Sequence, residues 1–331
     1  MEKPEFSLFC HPTTTVFIDD NKDFLTSLTL QSEPGSFKTF DDPHEGLAYI
    51  EAQSKLSENF AKGAIFSANI DVPHKLSLPQ HQVCERLNNL NRFSKPCVVV
   101  VDFSMPHLNG LELCSQLSHA HTKKILLTGV ANEKQAINAL NSDLIDFYID
   151  KSEDDLATRL NTIISTLTSR YFMDTLPLTN REAQLQMPFL FDPEFADFFE
   201  QKCEDFNVVE YYYVTNPNGF LLIDRNGVMS RLIIYTRAEL DAVLAEMVEG
   251  TLKSSMSQDC INTLKGGNHI PFFQNQEGCF EAQHIKNWRE HTYPIISVQG
   301  KQEYCCAIIE KKYQCLTSYA EYLNMPSNRL H

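Results

Sequence analysis

The chain holds 331 residues, 43% of them hydrophobic and 21% charged, with 12 glycines and a formal net charge of −15. That length suits two domains, and the balance of apolar and charged residues excludes a disordered or collagen-like chain. The acidic excess is shared, −7 over residues 1–170 and −8 over 171–331, with no Lys/Arg run longer than a pair. Neither half offers the basic footprint that phosphate-backbone binding needs, so nucleic acid is not an expected partner.

The first half alternates short apolar runs with helical spacing. Thr15–Asp19 reads as a strand, residues 23–30 as a helix, Phe37–Phe40 as a second strand, and His44–Leu56 as a helix on its Leu47, Ile50, Leu56 spacing. Pro96–Asp102 (PCVVVVD) is a continuous β-branched run, the pattern of a strand buried on both faces. Leu108–Leu117 is a helix, Lys124–Thr128 a fourth strand, Glu133–Leu140 a helix and Asp146–Ile149 a fifth strand. Ser152–Tyr171 closes the half as a helix with a Leu156, Leu160, Ile163, Ile164, Leu167 stripe and a capping-box-like Ser152/Asp155 start. This order predicts an α/β fold with a doubly wound, five-stranded parallel sheet. About forty residues, near 57–95, interrupt it, far beyond an ordinary helix-to-strand loop. This insert holds Pro73, Pro79 and a helix near 83–90; it belongs at the sheet edge opposite the strand C-termini, where partner contact suits it better than chemistry.

After a linker at 173–190 the pattern changes. A helix over 194–206 precedes strands at Val208–Val214, Phe220–Ile223 and Ser230–Tyr235, joined by Asn-Pro-Asn-Gly and Asp-Arg-Asn-Gly turns. A helix over 238–251, a hairpin from Tyr293–Val298 and Tyr304–Ile309, and a helix over 317–323 follow. The expected organisation is a domain over 1–172, the linker, and a separate α+β domain with an antiparallel sheet over 191–331. Gly266–Gly267 reads as a turn, the Tyr211–Tyr213 run as strand aromatics, and Trp288, His284 and His291 as ordinary packing or surface residues. The ten cysteines form no Cys-x-x-Cys pair, which predicts reduced thiols, most of them buried, with Cys305–Cys306 in a strand core. No apolar run approaches the roughly 18 residues of a membrane span, and the N-terminus lacks a secretory apolar core, so a cytoplasmic protein without membrane contact is expected.

Chemistry concentrates at one rim. Asp19 and Asp20 end the first predicted strand and Asp102 the third, and neighbouring ends of a parallel sheet lie within side-chain reach. Clustered carboxylates repel unless a cation joins them, and hard oxygen ligands suit Mg2+. Thr128 adds a hydroxyl and Lys151 an ammonium; together they make the set that a metal-assisted phosphoryl acceptor needs. The structural alternatives are Asp102 capping the next helix, Lys151 as a surface charge and Tyr148 as core packing.

These residues resemble the receiver domain of two-component response regulators, of which CheY is an example, over about Thr14–Tyr171 without the insert. The likeness rests on Asp19–Asp20, Asp102-Phe-Ser-Met-Pro106 with Asn109–Gly110, Thr128–Gly129, and Tyr148 three residues before Lys151. The resemblance implies the 2-1-3-4-5 strand order that CheY exemplifies. It implies Asp102 as the nucleophile taking phosphate from a sensor histidine kinase, with Asp20, Asp102 and the Ser104 carbonyl binding Mg2+ directly and Asp19 through water. It also implies Lys151 and Thr128 on the phosphoryl oxygens, Tyr148 as a switch, and no enzymatic activity beyond phosphoryl acceptance and autodephosphorylation. Met105–Pro106 and Gly110 would shape the turn after the nucleophile. The chain departs from the family at Ser152, where proline is usual, and in the insert; Ser104 and Val130 stand where the family tunes dephosphorylation. The stripe along the fifth helix either packs on its own sheet or joins two copies through the fourth-helix/fifth-helix face. The second half lacks a helix-turn-helix, which implies an atypical, non-DNA-binding output domain, PAS-like in its order of hairpin, helices and hairpin. The whole chain also resembles a quorum-sensing branch of the response regulators, for which a nucleotide-binding output is the alternative. The remaining alternative is an interaction scaffold that works without phosphorylation.

Overall fold

The computed structural model describes residues 3–29, 37–62, 79–117, 121–129, 132–174, 180–275 and 278–325. Leu30, Pro73, Val130 and the insert over 63–78 lie outside them. The chain divides into two compact units, His11–Lys62 with Asn89–Leu176 and Ser318–His331, and Met1–Cys10 with Gly63–Asn88 and Pro177–Thr317. The division expected at 1–172, 173–190 and 191–331 is thus replaced by an interleaved one.

In the first unit β1 (Thr14–Ile18), α1 (Lys22–Thr29), β2 (Phe37–Phe40), α2 (Pro43–Lys62), β3 (Pro96–Asp102), α3 (Gly110–Gln116), β4 (Lys123–Thr128), α4 (Glu133–Asn141), β5 (Phe147–Asp150) and α5 (Leu156–Asp174) follow in order. The strands form one parallel sheet, β2-β1-β3-β4-β5. Period-two alternation splits the valines of β3 between two cores. Val99 and Val101 join Ile50, Leu113, Cys114, Ala136 and Ala139 on one face. Val98 and Val100 join Leu25, Leu28, Leu160 and Leu167 on the other. The α5 stripe is therefore occupied by its own sheet, with Ile163 and Ile164 half-buried against that second core. Leu160, Leu167 and Tyr171 of that stripe are buried within the chain, while Ile163 and Ile164 keep part of their surface exposed.

Other expectations shift locally. The second helix runs on to Lys62. Helix α5 starts at Leu156, because the Ser152 amide and hydroxyl both donate to Asp150 Oδ1, at 2.8 and 2.7 Å, and close a turn there. The capping-box-like reading of Ser152 and Asp155 is corrected accordingly. The Lys151–Ser152 peptide is trans.

In the second unit a six-stranded antiparallel sheet is built on the helix Pro193–Asp205 and the strands Val208–Val214, Gly219–Asp224, Val228–Thr236, Ile296–Gln299 and Glu303–Gln314. The three strands expected around the two Asn-Gly turns pair in sequence as a meander, and the later hairpin pairs with its last strand. Two-residue strand Phe9–Cys10 adds an edge opposite Tyr212 and Tyr211. The supposed linker contributes helix Asn180–Gln186 and a turn, Pro188–Phe191, whose Phe189, Leu190 and Phe191 are buried. One face of the sheet carries an aromatic cluster in which Phe199 lies 4.6 Å from Phe6 and 4.7 Å from Phe220 between ring centroids. The other packs Ile233, Cys305, Ala307 and Ile309 against Leu240, Leu244, Cys260 and Leu264. Gly266–Gly267 ends a helix with Gly267 at a φ of 67°, a turn as expected.

The described part of the insert is a helix, Gln80–Leu87, held to this second sheet. Pro79 bridges Thr215, and the Thr317 hydroxyl donates to the Leu87 carbonyl. Fully buried Arg231 donates from Nε to Gln80 Oε1 at 3.2 Å and from its other nitrogens to the carbonyls of Pro217, Phe220 and Leu232. A buried guanidinium must have its N–H groups bonded, and here backbone oxygens do so.

Two histidines are held neutral by burial, His11 down to about 3 and His291 down to about 4, with Lys312 and the stacked His284 ring adding to the second. Between 6.5 and those values the unfolded chain binds protons that the folded chain does not, so stability falls as pH drops through that window. Denaturation midpoints at pH 7, 5.5 and 4.5 should decline. His11→Phe, at a site already edged by Phe93 and Phe172, should flatten the slope by up to about 1.4 kcal/mol per pH unit. An unchanged slope would reject a neutral buried His11.

Candidate functional site

The site begins with register. Ile18 pairs with Val101, Asp102 with Leu127, and Thr128 with Asp150, so Asp19, Asp102, Thr128 and Lys151 leave neighbouring strands at the same C-terminal rim. Asp19 follows Ile18 with its amide on the Phe40 carbonyl at 3.1 Å, and its Oδ1 accepts the Asn21 amide at 2.9 Å. Lys151 is fixed by its own amide on the Thr128 carbonyl at 2.9 Å.

The Lys151 ammonium lies 2.6 Å from Asp19 Oδ2 and 2.8 Å from Asp102 Oδ1. Both carboxylates are buried, whereas the lysine side chain remains 27% exposed. Its Nζ also stands 4.6 Å above the Phe24 ring. Burial disfavours the ammonium, but the hydrogen bonds to Asp102 and Asp19 outweigh it and hold Lys151 above its ordinary pKa. Burial likewise pushes the Asp19 carboxyl up, against the pull of Lys151 and the Asn21 amide. Asp19, buried Asp102 and exposed Asp20 bring one carboxylate oxygen each within 4.8 Å of one another, the one such acidic cluster among the described residues. Three hard oxygen donors at that spacing fit a small divalent cation such as Mg2+.

The other expected site residues surround this cluster. Buried Thr128 donates its hydroxyl to the Gly129 carbonyl at 3.1 Å. Tyr148 is half-buried against the core of its face. Exposed Ser104 accepts from Asn132 Nδ2 at 3.3 Å through its hydroxyl. Asp102 does not cap the following helix: Asn109 does, taking the amides of Leu111 and Glu112 at 3.0 and 2.9 Å while Glu112 returns to the Asn109 amide. The Asp102 carboxylate instead pairs with Lys151 at the rim. Sequence reasoning missed Phe24 and Asn21, whose places depend on how α1 enters; an aromatic one turn past an acidic pair gives no distinctive signal.

Gly110 is dictated by close approach. A Cβ there would collide with the Asp102 carbonyl oxygen and press on Leu126. Gly110→Ala should therefore displace the strand end that carries Asp102, costing roughly 1–3 kcal/mol as an overpacked site. Urea melts with and without Mg2+ check this, and an unchanged midpoint would count against so tight a turn.

Residues 79–161 match the family model described as the response regulator receiver domain. Among solved structures the chain is similar to the Legionella pneumophila response regulator LqsR, 28% identical over 97% of this chain and 96% of that one, with a TM-score of 0.72. It is also similar to a response regulator receiver domain protein from Clostridium thermocellum, 19% identical over 48% and 95% of the two chains at a TM-score of 0.33. The receiver domain of the Francisella response regulator 1452 is 19% identical over 48% and 98%, at 0.31. No curated protein matches the chain. No described helix is long and apolar enough to cross a membrane.

Proposed function

We propose, for a chain that carries the receiver domain of response regulators, that Asp102 takes a phosphoryl group from a sensor histidine kinase and that this switches the second unit. The observation that carries the reading is the single lysine bridging Asp19 and Asp102 at 2.6 and 2.8 Å beside Asp20. Lys151 holds Asp102 Oδ1, and no described residue bonds Oδ2, the oxygen left to attack. The P–N bond of the kinase's phosphohistidine breaks as the P–O bond to Asp102 forms, and the imidazole leaves to recover a proton from solvent.

Asp19, Asp20 and Asp102, with the Ser104 carbonyl, would hold Mg2+, which when bound supplies charge neutralisation between the carboxylates and the incoming phosphoryl oxygens. Lys151 and the Thr128 hydroxyl stabilise the same oxygens from the protein side. The added charge of about −1.5 to −2 draws Thr128 and Tyr148 toward it and reshapes the α4–β5–α5 face. A pairing of two copies through that fourth-helix/fifth-helix face would use the half-exposed Ile163 and Ile164. The reading keeps the protein as a phosphoryl acceptor with autodephosphorylation, cytoplasmic, without nucleic-acid contact, and with the quorum-sensing role expected from the whole-chain resemblance.

Incubation with radiolabelled kinase and Mg2+ should label wild type at Asp102 and nowhere else, as read by mass spectrometry after borohydride trapping. A full panel of phosphorylated histidine kinases that leaves Asp102 unlabelled would favour the phosphorylation-independent scaffold.

A further inference from the structure

The second unit contains a cavity of about 510 Å³ that the phospho-acceptor reading leaves unused. Its walls come from four stretches of chain: His81, Cys84, Glu85, Leu87 and Asn88 on and beside the insert helix; Met229 in the meander; Cys279; and the strand end at Gln314 with Cys315 and Leu316. The volume falls within the range of small-molecule sites, and a mainly apolar wall with a few polar groups is their usual make-up.

The wall chemistry narrows the occupant. Leu87, Met229 and Leu316 offer apolar surface and the three thiols behave as soft, weakly polar surface. His81, Asn88 and Gln314 offer neutral donors and acceptors. Among the described residues that line the space Glu85 is the single fixed charge, with no Lys or Arg beside it. Among the described lining residues an anion would meet a carboxylate and no cation, which argues against nucleotides and other phosphorylated ligands. The rim is independently suggestive: Leu316 is 78% exposed, and Phe280, next in sequence to Cys279, is 51% exposed. A ligand with an apolar body would cover that surface.

We infer that this cavity binds a small organic molecule with an apolar body and an uncharged or cationic polar head. The site combines the receiver's insert with the C-terminal strands, and its occupation does not require phosphoryl transfer at Asp102.

The test uses the full chain without Mg2+ or phosphoryl donor, and three isosteric probes: octanamide, octylammonium and octanoate. Alkylation of each cysteine by iodoacetamide is followed by mass spectrometry, with Cys10 and Cys203, which do not line the cavity, as references. At ten times its dissociation constant, octanamide or octylammonium should slow alkylation of the cavity thiols about tenfold by simple occupancy while the references are unaffected. Octanoate should protect only in Glu85→Lys, an exposed position where the reversed charge is tolerated. Equal alkylation at every concentration of octanamide and octylammonium would overturn the site. Protection of wild type by octanoate, or its failure in Glu85→Lys, would overturn the assigned ligand class.

Discussion

Asp102→Asn is expected to fold like wild type and to lose beryllofluoride binding altogether. The amide keeps the shape of the carboxylate, and Asp19 still holds the Lys151 ammonium at 2.6 Å, so the denaturation midpoint should move by less than about 1 kcal/mol. The chemistry does not survive, because an amide oxygen is neither an anionic nucleophile nor a strong hard-cation ligand. Isothermal titration of beryllofluoride in the presence of Mg2+ should give saturable binding for wild type and a flat trace for the variant. Saturable binding by Asp102→Asn would remove Asp102 from the role assigned to it.

Lys151→Met should destabilise the protein in the absence of divalent cations and be largely restored by Mg2+. The substitution leaves two buried carboxylates and exposed Asp20 within 4.8 Å of one another with no counter-charge. Breaking a buried pair costs about 3–5 kcal/mol when the remaining charge is fully enclosed. Because the lysine is 27% exposed, solvent screening reduces this to roughly 1–3 kcal/mol. Urea melts over a Mg2+ series would show a steeper metal dependence than wild type. A variant as stable as wild type in chelator would mean that the carboxylates are not mutually strained, and the cation-site reading would fail with it.

The parallel sheet and its rim were legible because each signal was local. PCVVVVD reads as a strand buried on both faces, and Asp19, Asp20, Asp102, Thr128 and Lys151 sit at ends that periodicity alone locates. What escaped was non-local. Phe9–Cys10 is too short to show alternation, and its strand identity comes from Tyr211 and Tyr212 two hundred residues away. The allegiance of Gln80–Leu87 is set by Arg231 and Thr317, neither of which the insert's composition announces. A Ser followed three residues later by Asp suggested a helix start at Ser152, but a nearer acceptor, Asp150, took both its donors. Turn chemistry competed with capping chemistry for the same hydroxyl and won.

The short helix Tyr319–Leu323 belongs to the parallel-sheet unit, where Tyr322 is hydrogen-bonded to Thr14 Oγ1 at 3.1 Å and the rings of Tyr319 and Tyr322 lie 5.2 and 5.3 Å from Phe93. During synthesis Thr14 leaves the ribosome 308 residues before its partner. The parallel-sheet unit therefore gains these contacts only once every residue of the antiparallel sheet has already emerged. Contacts of such long sequence separation form slowly. A chain cut before Tyr319 would leave Phe93 without these two rings and Thr14 without the Tyr322 hydroxyl, so the first-made part of the parallel-sheet unit waits for the last-made part of the described chain.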